Sequence, residues 1–227
     1  MKANRFITTA IFSIIGVLAA AQPWMMRPQG PANEFSAMEG TSVLNYNLQM
    51  ERDIHSRAGF GPAFYIFPDS KLDNNQALEL AGKLDLVNII KEYGGRIMVV
   101  NPSSDKWQEQ DLENFRRLIG MGGSPTNVKV IGIGSGATFV NRHLAATDLT
   151  GVIAGIVSID GDPGKICKLP VPAFIGGKNA AKAAKPYQAT SDAAPADPLQ
   201  KVVVNTDKKA SLETLFAEAW DEVLSAN

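Results

Sequence analysis

The most constraining stretch of this sequence is an apolar run that enters a glycine-rich turn and continues into a helical pattern. Val128–Ile133 is rich in β-branched residues, which is typical of a buried strand. The turn that follows contains Gly132, Gly134, Ser135 and Gly136. Residues 137–146 then have the spacing of a helix. This pattern predicts a strand, a sharp turn and a helix, with a serine displayed in the turn.

Apolar runs of strand length alternate with amphipathic helical patterns along most of the chain. The predicted strands are 41–50, 63–67, 97–100, 128–133, 152–159, 171–175 and 201–205. The predicted helices are 76–93, 111–119, 137–146 and 211–224, the last with Ser211 as its N-cap. Residues 180–198 are rich in Ala, Lys and Pro, and predict an irregular surface segment with one helical turn.

This order of elements predicts the fold class. The first strand alternates polar and apolar residues, which favours a half-buried antiparallel strand at an edge. The middle strands are almost uniformly apolar, as parallel strands covered on both faces are. Right-handed crossovers then give an α/β protein, a three-layer α/β/α sandwich with a mostly parallel central sheet.

The amino terminus has the features of an export signal. Lys2 and Arg5 precede an apolar stretch, and small residues at 19–21 offer a cleavage site before Gln22. Residues 1–21 are therefore predicted to be a signal peptide, 22–40 a lead-in and 41–227 a single domain. The alternative is a retained N-terminal anchor, since about 20 apolar residues can span a membrane. A mature protein that begins at Gln22 would exclude the anchor.

Composition limits the possible functions. The formal net charge of −1 and the lack of a basic stripe argue against nucleic-acid binding. The turn reads Gly-x-Gly-x-Gly, which is neither the dinucleotide fingerprint nor a P-loop, so no nucleotide cofactor is expected. Asp148, Asp160 and Asp162 are interpreted as turn residues, and no metal is expected. The single Cys167 is interpreted as a structural thiol.

Five segments, in this order, resemble an α/β-hydrolase, most closely the secreted esterase and polyhydroxybutyrate-depolymerase-like branch. They are Pro68-Asp69, Asn101-Pro102, the turn at 132–136, the run at 171–179 and Pro186-Tyr187. The resemblance implies a parallel-sheet hydrolase fold from about residue 41 onward. It also implies a serine nucleophile at the turn, followed in chain order by an acid and a histidine.

The family motif Gly-x-Ser-x-Gly can be placed on the turn in two registers. One register has glycines at both flanks and puts Gly134 at the nucleophile position. The other makes Ser135 the nucleophile and puts the β-branched Ile133 two residues before it, where the turn is crowded. The first register is favoured, and it leaves the nucleophile position without a side chain.

The other members of the catalytic set also depart from the family pattern. Asn179 stands at the position of the acid and cannot supply a negative charge, whereas Asp192 and Asp197 lie further along the chain. No histidine follows His143, which is eight residues after Ser135 and about 12 Å further along the same predicted helix. The other histidine, His55, is interpreted as a surface residue.

The turn that would complete the oxyanion hole is altered as well. Pro68 has no N–H to donate, and Asp69 would place a negative charge near a developing oxyanion. Trp107 and Tyr187 are predicted to lie in loops at the carboxyl side of the sheet, where ligands bind in such folds. These two aromatic residues would line a pocket for an apolar ligand or a partner, although Tyr187 could equally pack on its own Ala-rich segment.

These departures favour an exported α/β-hydrolase-fold protein that has lost its catalytic set and acts as a binding or structural subunit. Its ligand would be a small ester or a polymer-like molecule, or its partner another protein. One alternative is a secreted carboxyl-ester hydrolase with Ser135 as nucleophile and a histidine from sequence beyond this chain. Another is an accessory subunit that the uncleaved leader anchors to a membrane.

Overall fold

The computed structural model describes residues 35–38, 41–46, 62–86, 88–89, 96–121, 127–193 and 200–225. Its strands are β1 Phe35–Met38, β2 Thr41–Tyr46, β3 Ala63–Phe67, β4 Arg96–Val100, β5 Val128–Ile133, β6 Ile153–Ile159, β7 Ala173–Gly176 and β8 Val202–Asn205. Its α-helices are α1 Asn74–Lys83, α2 Gln110–Met121, α3 Ser135–Phe139, α4 Ala180–Ala183, α5 Lys185–Ala193 and α6 Leu212–Ala219. Single π-helical turns, Val140–Leu144 and Trp220–Leu224, continue α3 and α6.

All eight strands belong to one sheet in the order β1-β2-β4-β3-β5-β6-β7-β8. The six strands from β3 to β8 pair in parallel, whereas β1 pairs antiparallel with β2 and β2 antiparallel with β4. The prediction of a mostly parallel α/β sheet is confirmed. Because β3 and β5 are neighbours, the turns that follow them meet at the carboxyl edge of the sheet.

Helices cover the two faces of the sheet and make two apolar cores. Along β3, Tyr65 and Phe67 contribute to the core that contains side chains of α2, α3 and α5. Phe64 and Ile66 point the other way and contribute to the core with α1 and α6. Every residue of β3 is buried, which explains why its sequence is uniformly apolar and not alternating.

The predicted cap of the last helix is present, and the structure shows a further cap at α1. Ser211 caps α6, since its hydroxyl oxygen accepts a hydrogen bond from the Thr214 N–H at 3.2 Å. At the start of α1, Asp73 and Gln76 form a reciprocal capping box. These caps satisfy N–H groups that the helix itself leaves unpaired.

The structure corrects three sequence-based predictions of secondary structure. The lead-in contains strand β1, so β2 is antiparallel as predicted but is not the edge strand. The Ala/Lys/Pro-rich segment contains two helices, α4 and α5, and not one isolated turn. The helix predicted at 137–146 begins at Ser135. The proposed leader lies outside the described residues, within which no helix is long and apolar enough to cross a membrane.

Lys129 is a charged residue in the middle of the sheet. It lies on β5 and is 1% exposed. The pairing of β5 with β6 shifts register beside it, and its ammonium donates to the carbonyl oxygen of Ala154 at 3.3 Å. Burial lowers the pKa of the Lys129 ammonium to about 8.

This burial predicts a pH-dependent stability. Below about pH 8 Lys129 is protonated in both states, and the folded protein holds a poorly solvated charge. Between about pH 8 and 10.5 the unfolded chain binds more protons, so the free energy of unfolding rises with pH. Relative to Lys129→Met, the wild type should gain about 3 kcal/mol across this interval. Urea unfolding of both proteins at several pH values measures the difference, and a difference independent of pH would contradict the prediction.

Candidate functional site

The turn between β5 and α3 has an unusual backbone conformation at Gly134. Its φ is +57° and its ψ is −117°, a conformation that residues with a side chain rarely adopt. The Gly134 N–H donates to the Ile159 carbonyl oxygen of β6 at 2.9 Å, and the Gly134 carbonyl accepts from the Thr138 N–H at 3.0 Å. The apex of the turn is therefore residue 134, and Ser135 is the first residue of α3.

The two flanking glycines allow close contacts on both sides of this apex. A Cβ on Gly132 would lie 2.6 Å from the Cα of Ala137, so α3 packs directly on β5 there. A Cβ on Gly136 would overlap the Phe67 carbonyl oxygen and lie 2.5 Å from that of Pro68. The end of β3 thus fits against the first turn of α3 only because residue 136 has no side chain.

The carboxylate of Asp69 fills the space in front of the apex. Its Oδ1 accepts a hydrogen bond from the Ser135 N–H at 2.6 Å. A Cβ on Gly134 would overlap this oxygen and lie 2.5 Å from the Asp69 Cγ. The Ser135 hydroxyl donates to the main-chain carbonyl of Asp69. Asp69 and Ser135, 66 positions apart, are thus joined by two hydrogen bonds, and the Asp69 carboxylate also lies against the bare Cα of Gly134.

A cleft of about 410 Å³ opens beside this turn. It is lined by Asp69, Asp105, Lys106, Trp107, Ser135, Thr138, Phe139, Arg142 and His143. Its aromatic wall is a ladder of rings: Trp107 stacks on Phe139 with centroids 4.8 Å apart, and Phe139 contacts His143 at 5.5 Å. Trp107 is fixed by a hydrogen bond from its Nε1 to the Pro68 carbonyl oxygen at 2.9 Å.

The structure places Ser135 and His143 on the same cleft, although their distance along one helix predicted that they would lie apart. Both residues line it, and neither hydrogen-bonds to the other in the part of the chain that the structure describes. The His143 ring leans on Phe139, and the Ser135 hydroxyl is directed to the Asp69 carbonyl. The sequence reasoning missed Phe139, Arg142 and His143 as cleft residues, because it followed axial distance and not the face of the helix.

Asn179 belongs to a polar network at the ends of β6 and β7 that includes two residues of the cleft lining. Its side-chain amide donates to Asp162 Oδ1 at 3.1 Å. The other oxygen of Asp162 pairs with Arg142 at 3.1 Å, and the Asp162 N–H donates to the Thr138 hydroxyl oxygen at 2.9 Å. The Asn179 amide is thus directed at an aspartate of a turn, as Asp160-Gly-Asp162 was interpreted, and not at an imidazole.

Tyr187 does not line the cleft. It lies on α5, is 3% exposed, and donates from its hydroxyl to Asn141 Oδ1 at 2.9 Å in the buried core. Burial raises the pKa of the Tyr187 phenol well above its usual value. The prediction of an exposed loop aromatic is therefore wrong, and the alternative of packing is the one observed. Pro68, by contrast, contributes to the site through its carbonyl oxygen.

Asp160 makes a second contact of the kind seen at Asp69. It follows β6 with φ of +59°, and its Oδ1 accepts from the Lys178 N–H at 2.8 Å. A Cβ on Gly177 would lie 2.9 Å from the Asp160 Cγ. An aspartate after one strand therefore caps the glycine turn after its neighbour at two places on this edge.

The remaining candidates stay apart from the cleft or cannot be placed. Asp192 is exposed on α5 and does not line the cleft. His55 and Asp197 lie outside the described residues. No group of three His, Cys, Asp or Glu side chains within the described ranges is arranged to hold a metal ion.

Comparisons with known proteins find similarity at the level of structure. No family model matches the sequence, and no curated protein has significant sequence similarity to it. The acylaminoacyl peptidase of Pyrococcus horikoshii superposes with a TM-score of 0.50 at 11% identity, over 85% of this chain and 41% of the peptidase. This chain therefore spans less than half of that protein.

Two further similar structures are enzymes that are close in length to this chain. An alpha/beta hydrolase from a Medee basin deep-sea metagenome library has a TM-score of 0.49 and 15% identity, with 77% of this chain and 79% of that one covered. A serine hydrolase without a lid from Xanthomonas campestris has a TM-score of 0.49 and 15% identity, with 86% and 96% covered. The similarity is to the α/β-hydrolase fold, and at these identities it extends to the fold alone.

Proposed function

We propose that this protein is an exported α/β-hydrolase-fold subunit that does not hydrolyse esters and acts through binding. In the hydrolases the nucleophile sits at the strained apex of the strand-to-helix turn, between small residues. In this chain the apex is Gly134, with φ of +57°, and glycines stand two residues before and after it. A turn built for a displayed side chain is thus retained around a residue that has none.

The observation that carries the proposal is the position of the Asp69 carboxylate. In this fold the N–H of the residue after the nucleophile helps to stabilise the oxyanion of the reacting acyl group. Here that N–H belongs to Ser135 and donates to Asp69 Oδ1 at 2.6 Å. The donor is used within the chain, and the carboxylate adds a negative charge where an oxyanion would have to form.

The other groups of a catalytic triad support the same conclusion. Asn179, at the position of the acid, donates to Asp162 at 3.1 Å. The Ser135 hydroxyl donates a hydrogen bond to a backbone carbonyl and not to a base. A serine becomes an effective nucleophile only when an adjacent base removes its proton.

The runner-up function is a secreted carboxyl-ester hydrolase that uses Ser135. It is favoured by one observation: Ser135 is exposed and lines the same cleft as His143. For this mechanism the hydroxyl would have to leave the Asp69 carbonyl and meet an imidazole, either that of His143 or one from outside the described residues. The depolymerase-like branch of the family belongs to this alternative.

The cleft is the proposed binding site in the main hypothesis. Its wall of Trp107, Phe139 and His143 offers apolar ring surface, while Lys106 and Arg142 offer donors. This combination suits a small ester or one unit of a polymer-like ligand. Export rests on the leader at residues 1–21, and a retained leader would make the same protein a membrane-anchored accessory subunit.

The test is an ester hydrolysis assay on the purified protein with p-nitrophenyl acetate and p-nitrophenyl butyrate. We expect wild type, Ser135→Ala and His143→Ala to release p-nitrophenol at the same rate as buffer, because no base activates Ser135. Ser103→Ala, an exposed serine outside the cleft lining, is the matched control. Turnover that Ser135→Ala abolishes and Ser103→Ala preserves would overturn the proposal in favour of the hydrolase.

A further inference from the structure

A second concave surface lies between the loop that follows β6 and helix α5. We call it the Ile166 groove. It has a volume of about 430 Å³, and Ile166, Pro170, Pro186, Ala189 and Ala193 supply its apolar lining. Lys165 and Lys168 lie along its rim. The groove shares no lining residue with the Ser135 cleft.

The loop that carries Ile166 is held firmly against α3 and its π-helical extension. The Lys168 N–H donates to the Ala145 carbonyl oxygen at 2.7 Å, and the Asn141 side-chain amide donates to the Asp162 carbonyl oxygen at 2.8 Å. A Cβ on Gly164 would lie 2.8 Å from the carbonyl carbon of Asn141, so the backbones are in direct contact. Ile166 is thus presented on fixed backbone.

Among the described residues, Ile166 is the one large apolar side chain that is exposed, and its exposed fraction is 51%. Isolated surface apolar residues are ordinary. This one stands at the edge of a groove whose floor is proline and alanine, so the exposed area is continuous with a concave apolar surface. Such a surface accommodates a side chain of an extended peptide.

Both charged residues that line the groove are lysines. Lys165 and Lys168 are exposed, and no carboxylate of the described residues lies within ion-pair distance of either ammonium. None of the groove-lining residues is acidic. Lys168 interacts weakly with Asp148, whose pKa is lowered mainly by hydrogen bonds from Thr150. The rim is therefore complementary to negative charge.

We propose that the Ile166 groove is the docking site for an extended acidic segment of a partner protein. An apolar side chain of that segment packs between Ile166 and Pro170, and its carboxylates pair with Lys165 and Lys168. An anionic membrane is a poorer fit, since lipid recognition takes clusters of about four to eight basic residues. Two lysines and one isoleucine around a concavity suit a peptide better.

The inference rests on the proposed role as a binding subunit, but the groove does not overlap the cleft beside Ser135. The two proposals can therefore be tested separately. Ester turnover that depends on Ser135 would overturn the proposed function, whereas peptide binding tests only the Ile166 groove.

The probe is a fluorescein-labelled peptide, Glu-Glu-Leu-Pro-Glu-Leu-Glu-Glu, titrated against the full chain by fluorescence anisotropy. We expect weak binding, with a Kd on the order of 100 μM. Lys165→Glu combined with Lys168→Glu should weaken binding by at least about tenfold, and Ile166→Asp by a similar factor. The control pair Lys208→Glu and Lys209→Glu reverses two exposed lysines in the turn before α6 and should leave the Kd within about twofold.

Cys167 provides a readout that needs no substitution. It is the single cysteine of the chain, lines the groove and is half-buried, and burial raises the pKa of its thiol. Bound peptide should slow its alkylation by iodoacetamide, whereas a peptide with lysines in place of the glutamates should not. No saturable binding up to about 1 mM, equal binding of the lysine peptide, or equal losses in the Lys208/Lys209 control would overturn the proposal. Binding to phosphatidylglycerol vesicles without binding to the peptide would also overturn it.

Discussion

Gly136→Ala should be among the most destabilising single-methyl additions in this protein, lowering the free energy of unfolding by about 4 kcal/mol or more. The new Cβ would overlap the carbonyl oxygen of Phe67 and lie 2.5 Å from that of Pro68. Both obstacles are backbone atoms at the end of β3, so no rotamer change can relieve the overlap. Relief requires α3 to move away from the sheet.

That movement would also disturb the site. The end of β3 carries Asp69, whose carboxylate accepts from the Ser135 N–H at 2.6 Å, and Trp107 is tied to Pro68 at 2.9 Å. We therefore expect the loss of stability to be accompanied by a change in the fluorescence of Trp107, seen against the other two tryptophans of the chain. Chemical denaturation monitored by circular dichroism and by fluorescence measures both effects.

Gly82→Ala is the matched control for this substitution. Gly82 lies in α1, and a Cβ there would meet no atom within 4 Å. The same methyl group should stabilise the protein by up to about 1 kcal/mol, because alanine has the higher helix propensity. If Gly136→Ala were tolerated as well as Gly82→Ala, the close contact between α3 and the end of β3 would not exist as described.

The sequence predicted the frame of this fold well because the frame depends on local patterns. The strands from β3 to β8 are short apolar runs, and their predicted limits agree with the structure to within two residues. Ser211 marks the start of α6, because its side chain caps the helix through a hydrogen bond within the first turn of that helix. Such features depend on residues three or four positions apart, which a sequence displays directly.

The features that the sequence did not predict depend on contacts between distant residues. Strand β1 has only four residues, and its place in the sheet comes from pairing with β2. Helix α5 was obscured by Pro186, yet proline at the second position of a helix removes no internal hydrogen bond. Tyr187 is buried because Asn141, 46 residues earlier, provides a partner for its hydroxyl.

The candidate site likewise has features that the sequence shows directly and features that depend on contacts between distant residues. The glycine spacing at 132, 134 and 136 was visible in the sequence, and it drew attention to residue 134 as a position without a side chain. From the sequence, Asp69 could be recognised only as an unfavourable charge near the turn. Its hydrogen bond with the Ser135 N–H was not predictable, because Asp69 follows β3 and is 66 residues away in the chain. His143 joins the cleft because residues four apart lie on one helix face, and Phe139 connects it to Trp107.

Gly134→Ala is the substitution that tests whether Asp69 and the apex of the turn occupy one another's space. Two separate effects should destabilise this variant. A residue with a side chain at φ of +57° costs about 1 to 2 kcal/mol, and the new Cβ would also overlap Asp69 Oδ1. We expect a total loss of about 3 kcal/mol in the free energy of unfolding.

Gly151→Ala separates these effects. Gly151 also has a positive φ, +81°, but a Cβ there would meet no atom within 4 Å. It should therefore show the backbone cost alone, about 1 to 2 kcal/mol. The excess loss in Gly134→Ala over Gly151→Ala then measures the collision with the carboxylate.

A double-mutant cycle with Asp69→Ala assigns that excess. Asp69→Ala alone removes the acceptor of the Ser135 N–H and should be destabilising by about 1 to 3 kcal/mol. Adding Gly134→Ala to it should cost little more than Gly151→Ala does, because the carboxylate is gone and only the Cβ of residue 69 stays close, 2.9 Å from the new Cβ. The coupling between the two substitutions should then be about 1 to 2 kcal/mol, with the double variant more stable than additivity predicts.

The sign of this coupling bears directly on the proposed function. A favourable coupling means that Asp69 holds the space in which a hydrolase of this fold displays its nucleophile, so a side chain at residue 134 and the carboxylate of Asp69 exclude each other. Strict additivity would mean that the Asp69 carboxylate can move away from residue 134 without an energetic cost. The Ser135 N–H would then be available to a ligand, and the case for an occupied oxyanion position would fail.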